Sequence, residues 1–280
     1  MGQITSSMHI RKKIANFFTY LVLIAFSLGV LLPVLWIFRT SLASKIIIFK
    51  IPPEWLFKPI IENYTWLFTQ LNFLLYMRNS LIIALVSTTL TIPAAFVAAY
   101  AFNRFNTGGK FLQFGTLGSQ MLPPIVLVLP IFVIFRNWGL QNNLWSLIFV
   151  YLASNLPFLI WLLVGFLEGI PMELEEAALI DGASRMTVIF RIVFPLSAPG
   201  IMAAFVLGFI LCWNEFLFAL VLVAQEASTI PIKLAALQTE IGTLWGPLSA
   251  GVCLGILPMI VLSLTIQKYL VRGLTFGAIK

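Results

Sequence analysis

The sequence predicts an all-α integral membrane protein with six transmembrane helices and one cytoplasmic helix-turn-helix loop. Three observations carry that prediction. Of 280 residues, 60% are apolar and only 10% are charged, against about 25% charged residues in an ordinary soluble domain. Mean hydropathy is +1.02, so the chain has too little polar surface to coat a water-soluble body of its size. Charge-free stretches run over residues 14–38, 79–103, 111–135, 137–167, 192–214 and 241–267. Each supplies the roughly 20 apolar residues that cross about 30 Å of hydrocarbon as a helix. Their apolarity is continuous, whereas a spanning strand alternates every second residue, and this selects helices over a barrel. A water-soluble enzyme, a disordered tail and a nucleic-acid-binding module are excluded.

Residues 1–16 form a cytoplasmic tail and 17–39 the first span. Arg11, Lys12 and Lys13 precede that span, which places the N-terminus in the cytoplasm because basic flanks are retained there. Ser41-Leu42-Ala43 mimics a signal-cleavage site. The apolar stretch before it is too long for a signal h-region, however, so the span is read as uncleaved. Residues 40–78 make an extracytoplasmic loop, and 79–271 hold five further spans with an inside loop at 168–200 and an outside loop at 224–247. The fifth span starts near Ile201 and continues past Glu215 to Val223. Six crossings return the tail 272–280 to the cytoplasm. The net charge of +7 therefore reflects basic residues flanking spans rather than a nucleic-acid footprint. Trp55, Tyr64, Trp66 and Trp245 in the outside loops suit either the membrane interface or a docking partner. Cys212 and Cys253 lie in apolar runs and read as packing residues, and the single His9 builds no metal centre.

The inside loop 168–200 is the most informative segment. Pro171 suits the first turn of a helix, and Glu173, Glu175 and Glu176 place negative charge near the positive end of its dipole, as a solvated or docking face. Leu174, Ala177, Ala178 and Asp181 share one side of it. Gly182 is the expected stop, since glycine accepts a positive φ. Ser184 then caps a second helix, with Met186, Ile189, Phe190 and Val193 forming an apolar stripe that needs a partner surface. Pro195 and Pro199 close the unit. Asp181, the one aspartate of the chain, is either a contact residue or a local cap for the second helix.

Glu176-Ala177-Ala178, then three residues, Gly182, nine residues and Ile192-x-x-Pro195 resemble the EAA loop of ABC-importer permease subunits. The family usually has Leu before that proline, and Phe194 keeps the position apolar. Trp213-Asn214-Glu215-Phe216 and Arg272-Gly273-Leu274-Thr275-Phe276-Gly277-Ala278 resemble the carbohydrate-uptake class, in particular its maltose-type second permease. The resemblance implies a MetI-like permease core at 79–271 and a coupling helix that docks on a separate ATP-hydrolysing subunit. Glu176, Ala177, Ala178, Asp181, Gly182, Ala183, Phe190 and Pro195 would be its coupling residues. It also implies a homologous sister permease, two ATP-binding subunits that carry ATP and Mg, an extracytoplasmic solute-binding protein and a lipid-embedded place in a bacterial or archaeal cell membrane. The substrate implied is a sugar or oligosaccharide, with another small solute as the alternative.

Glu215 is the one carboxylate within a spanning run, where an acidic side chain costs about 2.5–3.5 kcal/mol on insertion scales. With Asn214 it lines the translocation path, or it makes a structural hydrogen bond to a neighbouring helix. A phosphate-binding loop requires G-x-x-x-x-G-K-[ST]. The nearest segment, Gly109-Lys110-Phe111, has neither the upstream glycine nor the hydroxyl, so the chain is expected to be no enzyme and to hold no cofactor of its own. An ion-gradient-driven carrier, a further alternative, would rest on Glu215 alone, and a membrane-embedded enzyme or assembly factor would need catalytic clusters that the loops do not offer.

Overall fold

The computed structural model describes the backbone over residues 2–276 and the side chains over 16–267. The side chains of Arg11, Lys12 and Lys13 and of the segment 272–278 lie outside the described residues. In chain order the helices are α1 (Gly2–Ser41), α2 (Lys45–Ile48), α3 (Glu62–Thr69), α4 (Phe73–Phe105), α5 (Gly109–Ser119), α6 (Pro124–Asn137) and α7 (Leu144–Leu167). Then come α8 (Glu173–Ile180), α9 (Arg185–Val188), a wide π turn at Ile189–Val193, α10 (Phe194–Leu196), α11 (Ala198–Trp213), α12 (Leu217–Leu222), α13 (Ile230–Ala235) and α14 (Trp245–Phe276). One two-residue hairpin pairs β1 (Gln238–Thr239) with β2 (Gly242–Thr243). Among the described residues the protein is thus all-α apart from that hairpin.

Among the described residues, four helical segments are long and apolar enough to cross a bilayer: Asn16–Ser41, Phe73–Phe105, Leu144–Leu167 and Trp245–Gln267. Two further helix pairs are apolar enough only when taken together, and each is bent. Gly109–Ser119 meets Pro124–Asn137 at 85°, and Arg185–Leu196 meets Ala198–Trp213 at 70°. Counting each bent pair as one crossing gives six. The first break follows from two adjacent prolines. Pro123 has ψ of 128°, because a residue before proline is pushed out of the α region. The fifth span differs from the sequence reading in one respect: α11 stops at Trp213 and helix resumes only at Leu217.

The chain divides into two compact units. The first holds residues 1–71 and 237–254. Within it residues 16–36 of α1 are exposed on every side and strongly apolar, a surface that water would not tolerate and lipid would. At the end of α1, Arg39 is buried beneath the Trp36 and Phe57 rings and donates to the Glu54 carbonyl at 2.6 Å. Asn63 of α3 donates to the carbonyls of Ser41 and Ala43, and Tyr64 shares a 2.8 Å hydrogen bond with Ser41. The loop after α1 is therefore folded on itself by polar ties to the helix end.

The second unit, residues 72–236 and 255 onward, is built on α4, α7 and α11. Ser80, Ala84, Ser87, Thr88, Thr91, Ala95 and Ala99 recur every three or four residues along α4 and are all buried. Such a small-residue stripe lets helix backbones approach closely in a membrane, where van der Waals packing replaces the hydrophobic drive. Facing it are Leu159, Ile160, Leu163, Val164 and Leu167 of α7 and Ala204 of α11. At Gly200 of α11 a Cβ would fall 2.5 Å from Phe166 Cγ, so α7 and α11 touch where only glycine fits.

Candidate functional site

The loop between α7 and α11 has the helix-turn-helix form expected of it. Helix α8 carries Glu173, Glu175 and Glu176 in its first turn and ends at Asp181. Gly182 follows with φ of 86°, a left-handed turn with no neighbour within 4 Å of a hypothetical Cβ. Its glycine thus answers to backbone conformation alone. The cap of α9 is Ser184, whose hydroxyl accepts from the Thr187 N–H at 3.2 Å, while Asp181 is the closing residue of α8. The π turn at Ile189–Val193 precedes Pro195. A proline ring would clash with the carbonyl four residues back, here that of Arg191, and a widened turn relieves the crowding.

The expected contact residues divide by exposure. Glu176, Ala177, Asp181, Gly182, Phe190 and Pro195 are exposed, and Ala178 and Ala183 are half-buried against the core. Ile180 is 86% exposed, Met186 65% and Phe190 62%, so these three side chains have no apolar cover among the described residues. The expected stripe is therefore split, with Met186 and Phe190 exposed and Ile189 half-buried against the core. Val188 and Val193, by contrast, are buried and fasten the second arm to the core.

Glu175 departs from the solvated or docking face expected of the three glutamates. It is buried, and Arg104 Nε of α4 lies 2.6 Å from its Oε1 while the Tyr100 hydroxyl donates to Oε2 at 2.6 Å. Arg104 also donates to the Ile170 carbonyl at 2.9 Å and to Asn103 Oδ1 at 2.7 Å. The correction has a simple cause: helix α8 turns one face toward α4, and on a helix Glu175 lies about 100° from Glu176. Sequence reasoning missed Tyr100 and Arg104. The signal available was an arginine alone at the end of a long charge-free run.

The second candidate pair, Asn214 and Glu215, sits in the gap between α11 and α12. The exposed Asn214 side chain donates back to the Ile210 carbonyl at 3.0 Å. The Glu215 carboxylate accepts from the Tyr151 hydroxyl at 2.6 Å and from the N–H groups of Phe218 and Ala219 at 2.9 and 3.2 Å. It therefore caps α12, satisfying donors that the first turn of a helix leaves open. Beside it, Thr88 and Asn155 approach the Cys212 sulfur at 3.9 and 3.2 Å, which ties α4, α7 and α11 together through polar contacts.

A cleft of about 830 Å³ opens next to the helix-turn-helix, between Trp161 and Phe166 of α7, Leu174 of α8 and Pro199 of α11, with Gln113 and Glu168 at its polar edge. Among the described residues, no three His, Cys, Asp or Glu side chains gather to hold a metal ion.

This geometry, an apolar helical core carrying a short helix-turn-helix, is that of a multi-pass membrane protein. Residues 91–276 match the family described as binding-protein-dependent transport system inner membrane component, and the chain belongs to it. It is 36% identical over 253 residues to the sulfoquinovosyl glycerol transport system permease protein SmoH of Agrobacterium fabrum, covering 89% of each chain. It is also 36% identical to the trehalose/maltose transport system permease protein MalG of Thermococcus litoralis, covering 89% of this chain and 91% of that one. In fold it resembles a chain of a bacterial ABC transporter involved in the import of the acidic polysaccharide alginate, with a TM-score of 0.69 and 22% identity over 92% of this chain and 97% of that chain.

Proposed function

We propose that this chain is one transmembrane half of an ATP-driven, binding-protein-dependent importer for a sugar or oligosaccharide. It pairs with a homologous sister permease, two ATP-binding subunits that carry ATP and Mg, and a soluble solute-binding protein. Both termini and the loop 168–200 face the cytoplasm in this reading, and the loops 40–78 and 224–247 face outward. The carrying observation is the uncovered apolar surface at Ile180, Met186 and Phe190 on a helix pair that is otherwise anchored to the core. Glu176, Ala177, Ala178, Asp181, Gly182, Ala183, Phe190 and Pro195 present this surface to an ATPase subunit. The sugar assignment is supported by the relatives, whose names specify a sulfoquinovosyl glycerol and a trehalose/maltose system. Asn214 faces the path, and Glu215 holds the α11–α12 break that shapes it.

Closure of the ATPase subunits would draw the two coupling loops together and switch the cavity between outward and inward access. Affinity purification of the tagged chain from its native membrane, with mass spectrometry of its companions, tests the assembly. A stoichiometric ATPase and a second permease, followed by ATP-dependent sugar uptake in liposomes, is the expected result. A chain that purifies alone and moves solute on an ion gradient overturns the reading.

A further inference from the structure

Helix α4 is held at both ends by the two loops that matter most to an importer, although neither loop is joined to it in sequence. At one end Tyr100 and Arg104 occupy both oxygens of Glu175 on α8. The second arm is gripped as well: Arg185 lies 5.0 Å over the Phe105 ring, and Phe194 meets Phe96 edge-on at 5.4 Å. At the other end Asn79 donates to the carbonyls of Glu226 and Ser228 at 2.6 and 3.0 Å, and the Ile230 N–H donates to Ser80 Oγ at 2.9 Å. Lys233 of α13 lies 4.8 Å over the Tyr76 ring. Asn79 and Arg104 are 25 residues apart on one helix, about 38 Å at 1.5 Å per residue, which exceeds the hydrocarbon thickness of about 30 Å.

We propose that α4 is the lever of the importer: Arg104–Glu175, braced by Tyr100, is its inner joint, and Asn79 with Ser80 is its outer one. Movement of the coupling loop is carried by this helix to the segment 224–235, where the solute-binding protein docks. A buried ion pair adds little net stability, because desolvation offsets its attraction. What a fully satisfied pair does provide is a fixed orientation, here of α8 on α4. Glu173 and Glu176, one or two positions away, are exposed, so the joint is specific to Glu175. Arg104, Glu175 and Asn79 are thus positioning residues, acting through the loops they hold.

This inference rests on the importer reading, and the experiment separates the two. The full complex is reconstituted with its ATPase subunits and binding protein, and ATP hydrolysed per solute moved is measured beside the amount of assembled complex. Arg104→Gln and Glu175→Gln are expected to assemble and to raise ATP used per solute by about tenfold, within the usual range for coupling between sites. The charge-reversed pair Arg104→Glu/Glu175→Arg is expected to recover most of the coupling. Asn79→Ala should keep basal hydrolysis but lose its stimulation by the binding protein. Unchanged stoichiometry in the single variants, or normal stimulation in Asn79→Ala, overturns the lever while wild-type transport keeps the importer reading. Failure of the single variants and the reversed pair alike to assemble overturns it too, since the pair would then be structural. A wild-type chain that recruits no ATPase refutes the importer reading instead.

Discussion

The Tyr151 hydroxyl lies 2.6 Å from Glu215 Oε2, so the one carboxylate inside a spanning run is bound from α7 on one side and from the backbone of α12 on the other. Its place in the membrane follows from that arrangement. A carboxylate accepting a hydroxyl and two amide donors is satisfied where an isolated one would be expelled.

Replacing Tyr151 with Phe removes one donor and leaves a half-buried acceptor short of a partner, at a cost of about 1–3 kcal/mol. Thermal unfolding of the purified complex should shift downward, and Glu215→Ala should shift it further. In both variants transport is expected to fall in step with assembly. Full assembly with abolished transport would return Glu215 to the path.

Gly182 makes a separate prediction. Its φ of 86° is adverse to a β-branched side chain, while the surrounding space is open. Gly182→Val should strain the turn by about 1–3 kcal/mol and uncouple ATP hydrolysis from transport without affecting membrane insertion. Gly182→Asn, which tolerates the left-handed region, should retain most activity. Equal behaviour of the two variants in an uptake assay would sink the conformational argument.

Gly200 reports on packing rather than on conformation. A Cβ there would lie 2.7 Å from Phe166 Cβ as well as 2.5 Å from its Cγ, and no rotation of the ring moves a Cβ. Gly200→Ala should lower stability by about 1–3 kcal/mol through overpacking. Adding Phe166→Ala should recover part of that loss, and the absence of recovery in a double-mutant cycle would count against the contact.

Loss of the Ser184 cap is a milder test. Ser184→Ala should cost about 1 kcal/mol, confined to α9, and should appear as faster amide hydrogen exchange in the segment 185–188. Uniform exchange between variant and wild type would mean that Val188, buried beneath it, holds the turn unaided.

Much of this was legible because local rules govern it. Apolar run length found the four helices long enough to cross a bilayer, the Ser184 cap and the Gly182 turn fell where side-chain chemistry demands, and the Glu176–Pro195 spacing pointed to the family. What escaped was set by tertiary contact. Nothing in the order Glu173, Glu175, Glu176 says which carboxylate meets an arginine 71 residues away, because that depends on how α8 rolls against α4. The break at residues 214–216 was hidden for a related reason: hydropathy sums apolar side chains and is blind to a carboxylate that captures the backbone donors of the next turn. The bend at Pro123-Pro124 was likewise invisible to run length, although the proline pair was a cue; the bend around Ser197 falls between Pro195 and Pro199, where the sequence closes the loop before the fifth span.

Helix α1 carries a consequence for how its sequence is constrained. Residues 16–36 are exposed throughout in a span whose hydropathy reaches 2.7, a surface suited to lipid tails, which have no fixed shape to match. Selection on that stretch acts on a total rather than on an arrangement. Leu, Ile, Val and Phe can trade places along 17–35 with little penalty, while one lysine at its centre costs about 2.5–3.5 kcal/mol. The small-residue stripe of α4 obeys the opposite rule, since there every position has a particular neighbour and a single added methyl acts as a wedge. One chain thus contains two kinds of spanning helix, one written for a fluid and the other for a solid.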